Sequence, residues 1–103
     1  MKLLVFANAK EGRDDEYNAW YDSVHMKDLL DIPGVVSGER YRVAPSTSPR
    51  ILPSEHRYLT VYDIDGDVDE VLAELGARVA DGRIGVTDSV EPNSSKFMVW
   101  ERI

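Results

Sequence analysis

Short apolar runs alternate with amphipathic stretches along the whole chain. Lys2–Ala7 (KLLVFA) is apolar and gives way to polar Asn8, which predicts a first strand. Residues 8–15, NAKEGRDD, read as a loop, with Asn8 turning the chain after the strand. Asp14 or Asp15 is placed to cap a helix running to about Leu30, with acidic side chains at its positive end. Asp31-Ile32-Pro33-Gly34 stops that helix, because proline disfavours helical geometry in the residue before it. Residues 35–43, VVSGERYRV, read as a second strand, and residues 44–55, APSTSPRILPSE, as a long proline- and serine-rich loop. Residues 56–63, HRYLTVYD, predict a third strand beginning at His56. Val68–Ala80 sets Val68, Val71, Leu72, Leu75 and Val79 at helical spacing. A polar, glycine-containing stretch leads to a fourth strand over residues 97–102, FMVWER.

The order is βαββαβ. Right-handed crossovers fold such a chain as an α+β, ferredoxin-like unit: a four-stranded antiparallel sheet with both helices on one face. Counting faces adds a constraint. In the first, third and fourth strands both alternating sets are apolar, as in Leu3, Val5, Ala7 against Leu4, Phe6. A sheet with one wet face alternates apolar with polar instead. Two helices cover one face, and large exposed apolar patches are rare on monomers. The expected cover for the second face is the same face of another copy across a two-fold axis, giving a homodimer. The alternative is that the loops fold over it.

Composition narrows the function. A chain of 103 residues is one domain, residues 1–103, with a thin core. It is 43% hydrophobic and 30% charged, and no apolar run approaches the ~20 residues that span a bilayer. No signal peptide is recognisable, so the expected compartment is the cytoplasm and no membrane partner is expected. The net charge of −7 and the lack of a basic patch argue against nucleic acid. With no cysteine, thiolate metal sites and a catalytic cysteine are excluded. Two histidines without His-x-His or HExxH spacing predict no metal site. Glycine-rich phosphate loops and a recognisable Ser-His-Asp motif are also missing, and no cofactor is expected.

The chemistry concentrates in WYDSVHMKDLLDIPGV, residues 20–35. On an α-helical wheel Tyr17, Trp20, Tyr21 and Val24 share an arc of about 100°, the width of a buried stripe. His25 falls about 40° beyond Tyr21, at the border of core and solvent. Asp22 and Asp28 lie one turn before and after it, within reach at that spacing. A carboxylate there orients the ring and favours its protonated form. An edge-of-core histidine beside carboxylates suits proton transfer. The plain alternative is a surface histidine in weak ion pairs. Asp28 falls on the apolar side of the wheel, which calls for fraying ahead of Pro33 or a carboxylate pointing into a cavity. Tyr21 and Trp20 are core aromatics whose polar tips can line a pocket. Arg40 and Tyr41 lie mid-strand on opposite faces; Arg40 can hold a carboxylate ligand, or pair with Glu39 or the helix. His56 reads as a strand-end residue beside the long loop.

Gly12, Arg13, Glu16, Tyr17, Trp20, Tyr21, His25, Asp28, Pro33, Gly34, Arg40 and Tyr41 together form a GRxxEYxxWYxxxHxxDxxxxPGxxxxxRY run. This run resembles the N-terminal half of EthD-like proteins of the dimeric α+β-barrel superfamily. The resemblance covers about the first 43 residues at motif level, and the βαββαβ order carries it weakly further. It implies a ferredoxin-like subunit whose sheet pairs with a second copy into a barrel. It also implies a pocket between sheet and helix for a small cyclic or aromatic compound, with a histidine at the position of His25 as acid/base candidate. Tyr41 or His56 is the candidate to assist, neither with a family motif of comparable strength. Haem-binding relatives use a histidine elsewhere on the chain, and no haem is expected. Two functions follow. One is a cofactor-independent acid/base enzyme of isomerase, cyclase, dehydratase or decarboxylase type. In it His25 is the proton shuttle, Asp22 or Asp28 orients the ring, and Tyr21, Trp20 and Arg40 bind substrate. The other is a non-catalytic small-molecule-binding or accessory dimeric protein.

Overall fold

The computed structural model describes all residues, Met1–Ile103. Strands β1 (Lys2–Ala7), β2 (Val35–Arg42), β3 (Tyr58–Ile64) and β4 (Lys96–Trp100) form one antiparallel sheet in the order β2-β3-β1-β4. Helices α1 (Asp14–Trp20) and α2 (Met26–Leu30) are joined end to end through a π turn, Tyr21–His25, and helix α3 (Val68–Ala80) follows β3. This is the α+β, ferredoxin-like arrangement expected from the element order.

The register separates the two sheet faces. Leu3 pairs with Tyr62, Val5 with Thr60 and Ala7 with Tyr58, so these residues face the helices. Phe97 and Val99 join that inner face from β4, and Gly38, Arg40 and Arg42 from β2. The core is Leu3, Ala7, Tyr58 and Tyr62 packed against Tyr17, Tyr21, Leu29 and Val71. Gly38 marks the closest approach: a Cβ there would stand 2.6 Å from the Met26 sulfur and 3.0 Å from the Tyr62 ring. On the outer face Leu4, Phe6, Leu59, Val61, Met98 and Trp100 stand together without a covering layer from this chain. Met98 is 45% and Trp100 57% exposed. The long loop does not bury them, and every residue of β4 is exposed.

Several boundaries differ from the sequence reading. The residue flanking α1 is Arg13, and neither Asp14 nor Asp15 caps it; both lie in the first turn with Glu16, where their charge still meets the helix dipole. The third strand starts at Tyr58, leaving His56 in the preceding loop. The reason is Asn8: its side chain donates to the Glu55 carbonyl (2.9 Å) and accepts from the Arg57 N–H (2.7 Å). Those groups are thereby withdrawn from the ladder. In α3 the helix is capped as its sequence allows, with the Asp67 carboxylate accepting from the Asp69 N–H. Gly34 ends the first helical segment at φ +97, a left-handed conformation that favours glycine.

Candidate active site

The first helical segment carries the site, and its geometry depends on one turn. The Met26 N–H donates to the Tyr21 carbonyl, five residues back, which widens the helix over Tyr21–His25. The Ser23 hydroxyl bonds back to the Ala19 carbonyl (2.5 Å) within the same turn. One extra residue in a turn rotates everything after it by about 100°. A straight α-helix would bury Val24 and Asp28; here Val24 is 44% exposed, and Leu29 and Ile32 are buried instead. His25 takes the stripe position expected of Val24. This resolves the apolar position of Asp28: the carboxylate is turned off the stripe by the wide turn, well ahead of Pro33. π turns of this kind occur often at functional sites.

His25 lines a cavity of about 200 Å³ between the inner sheet face and the helices. Val5 and Phe97 form its floor, Trp20 and Tyr21 one side, Leu75 and Val79 of α3 the other, with the segment around Val86 and Ser95 at its mouth. The imidazole stacks on Trp20 (4.5 Å between centroids, 23° between planes) and meets Tyr21 edge-on at 4.8 Å. Its Nδ1 is sealed from water and has no hydrogen-bond partner. With Nδ1 sealed, Nε2 is the one ring nitrogen left for a partner. Burial pushes the imidazole down from 6.5 to about 4, the charge of Asp28 opposes that shift, and the charge of Arg40 adds to it. His25 is therefore neutral at pH 7.

That environment differs from the one spacing implied. A protonated ring flanked by two carboxylates is replaced by a neutral ring among aromatics. Asp22 is turned away: its carboxylate accepts from Arg40 Nη1 at 2.9 Å. Asp28 acts on the ring only through its charge. Arg40 neither pairs with Glu39 nor opens into the cavity. It faces the helix, donates from Nη2 to the Asn18 amide oxygen (2.8 Å), and lies 4.3 Å from the centre of the Tyr21 ring. Arg40 Nε is buried without a partner. Beneath, the Tyr21 and Tyr62 hydroxyls share a 2.5 Å hydrogen bond. Burial pushes the Tyr17 hydroxyl up to about 12 and that of Tyr62 further up, so this aromatic layer stays uncharged. Tyr58 donates to Asp14 (2.5 Å), which holds that carboxylate below its ordinary range.

Trp20, Tyr21 and His25 are thus brought together, with Arg40 behind Tyr21. Tyr41 and His56 are not part of this group. Both line a smaller cavity of about 160 Å³ at the outer sheet face, with Phe6 and Leu59. Tyr41 donates to Glu39 (2.5 Å), and His56 Nε2 lies 2.9 Å from the Ser94 carbonyl. The sequence reading missed Leu75, Val79 and Ser95 as cavity residues; the helical spacing of Leu75 and Val79 marked them as apolar but not which space they enclose. No group of carboxylates and histidines is arranged to hold a metal ion, and no helix is long and apolar enough to cross a membrane.

A four-stranded antiparallel sheet with its helices packed on one face defines the class, a ferredoxin-like α+β fold. Within it, the chain has an EthD-like fold. It is similar to an ethyl tert-butyl ether D (EthD) family protein from Bacillus halodurans, at 18% identity over 99% of this chain and 97% of that one, with a TM-score of 0.64. It is also similar to HapK from Hahella chejuensis, at 17% identity over 98% and 93% of the two chains, with a TM-score of 0.57. No family model and no curated protein matches the sequence.

Proposed function

We propose that this protein is a cofactor-independent acid/base enzyme for a small cyclic or aromatic metabolite, with His25 as proton shuttle. The reaction belongs to the isomerase, cyclase, dehydratase or decarboxylase type. One observation carries the reading: an imidazole sits at the wall of an apolar cavity, with one nitrogen sealed and no hydrogen bond or ion pair to justify it. A buried polar group without a partner costs about 1–3 kcal/mol, so it makes a poor structural element. Neutral at pH 7, the ring can accept a proton from a bound substrate. Its conjugate acid, disfavoured by burial, returns that proton readily to a second position. Trp20 and Tyr21 fix the ring plane. Asp28 supplies the opposite charge that eases the transient imidazolium. Arg40 positions Asn18, Asp22 and the Tyr21 ring.

The working unit in this reading is a homodimer joined through the outer sheet face, where Met98, Trp100 and Tyr41 stand half exposed. Tyr41 and His56 then belong to the subunit boundary. Sedimentation at working concentration is expected to give twice the 11.6 kDa subunit mass. A single 11.6 kDa species would remove the dimer from the proposal.

A second reading rests on the same depressed basicity. A histidine that takes up its proton only near pH 4 is also suited to gripping a ligand without reacting, as in a binding or accessory protein. The two separate in one experiment. Ring compounds that raise the melting temperature are incubated with the protein in D2O, and proton exchange or conversion is followed by NMR. The enzyme reading expects turnover that falls about 10²–10⁴-fold in His25→Ala. Turnover unchanged in His25→Ala defeats the shuttle, and binding without any exchange or conversion favours the second reading.

A further inference from the structure

The cavity also states what charge its occupant carries. None of the side chains lining it is a carboxylate, an ammonium or a guanidinium. Its polar groups are the His25 ring, the Trp20 indole N–H, the hydroxyls of Ser95 and Thr87, and the tyrosines, and Thr87 already pairs with Ser89 at 2.7 Å. The one nearby cation, Arg40, is committed: its Nη atoms bond Asp22 and Asn18, and it lies against Tyr21 outside the cavity lining. A carboxylate entering this space would lose its water and meet no positive charge, which costs several kcal/mol. An uncharged ring loses little and gains the aromatic wall. Size agrees: an apolar cavity of about 150 Å³ takes benzene, and this one, at about 200 Å³, has room for a substituted ring.

We propose that the His25 cavity selects an uncharged planar ring bearing a hydroxyl, a phenol-type molecule whose oxygen pairs with His25 Nε2, and rejects the matching ring carboxylate. This rests on the reading of the cavity as the ligand site. Arg40 does not serve acidic groups in this cavity, because it is not among the lining residues and its Nη atoms bond Asp22 and Asn18. Selection comes from the absence of a counter-charge, with hydrogen bonding at one point and stacking elsewhere.

The test is calorimetric titration of the full chain at pH 7 with p-cresol, p-toluate and toluene. p-Cresol is uncharged there, a phenol losing its proton only near pH 10. p-Cresol is expected to bind about tenfold or more tightly than p-toluate, since the acid alone forfeits its hydration. It should also exceed toluene, and His25→Phe should erase that second preference. Val79→Trp and, separately, Ser95→Phe should fill the cavity and weaken p-cresol binding. Both positions are exposed enough to accept the larger side chain without disturbing the core. Equal or tighter binding of p-toluate overturns the charge rule but leaves the cavity as a ligand site. Toluene matching p-cresol overturns the pairing with His25. If none of the three binds at millimolar concentration, or if both filling variants bind as the wild type does, the cavity is not the ligand site and the underlying reading falls with the inference.

Discussion

The two histidines lie on opposite faces of one sheet and show what each face is built for. His56, on the outer side, has a settled structural role: its Nε2 pairs with the Ser94 carbonyl and its ring tilts against Phe6 at 5.5 Å. His25, on the inner side, has no hydrogen bond, is stacked on Trp20 with Tyr21 edge-on, and is held neutral by burial. The better-satisfied histidine is the less informative one. The buried, unpartnered ring is the observation on which the proposed role of His25 rests. The outer face poses the same question for surface instead of a single atom, since its apolar residues await a cover that this chain does not supply.

The contrast can be broken at its strongest point first. Tyr62→Ala removes a ring that is 1% exposed, together with its bond to Tyr21. A loss of about 3–5 kcal/mol in denaturant melts is expected, as for large aromatic truncations in cores. A loss below 1 kcal/mol would mean that the inner face is not the main core.

The next largest effect concerns acid. The unfolded chain takes up the imidazole proton near pH 6.5 and the folded chain only near 4. Unfolding is therefore coupled to proton uptake in that window, and stability falls as pH drops through it. His25→Phe lacks this coupling. Between pH 7 and pH 4 the wild type should lose about 1–3 kcal/mol more than the variant, since one pKa unit corresponds to about 1.4 kcal/mol. Parallel pH profiles for the two proteins would show that His25 is not buried neutral.

Smaller effects sharpen the outer side. His56→Ala should cost about 0.5–1.5 kcal/mol, the worth of one hydrogen bond, and leave binding in the inner cavity unchanged. An inner-cavity defect would join the two histidines in one site. Met98→Lys at an exposed position should change subunit stability by less than about 0.5 kcal/mol. It should nevertheless shift sedimentation from the dimer toward 11.6 kDa if that face carries the contact.

Much of this was legible along the chain. Lys2–Ala7 and Val68–Ala80 were read at the bounds they take, because each is an uninterrupted run with one period and clear stops. The doubly apolar sheet was legible because alternation in strands fixes faces without knowledge of neighbours. The first helical segment was harder. Its wheel placed Val24 inside and His25 at the edge, and the misplaced Asp28 was the one sign that the period failed. No residue type announces a π turn; the slip follows from the best packing of Tyr17, Tyr21, Leu29 and Ile32 against the sheet.

Sequence alone therefore determined the element order, the sheet with two greasy faces, and the segment that carries His25 and its aromatic neighbours, since these follow from periodicity and backbone preference. Tertiary structure decided the partners. It sent Asp22 to Arg40, turned His25 into an apolar cavity, and put His56 on the far side of the sheet. Those outcomes depend on which side chains from distant segments compete for the same space and the same hydrogen bonds, a competition that spacing along one helix does not contain.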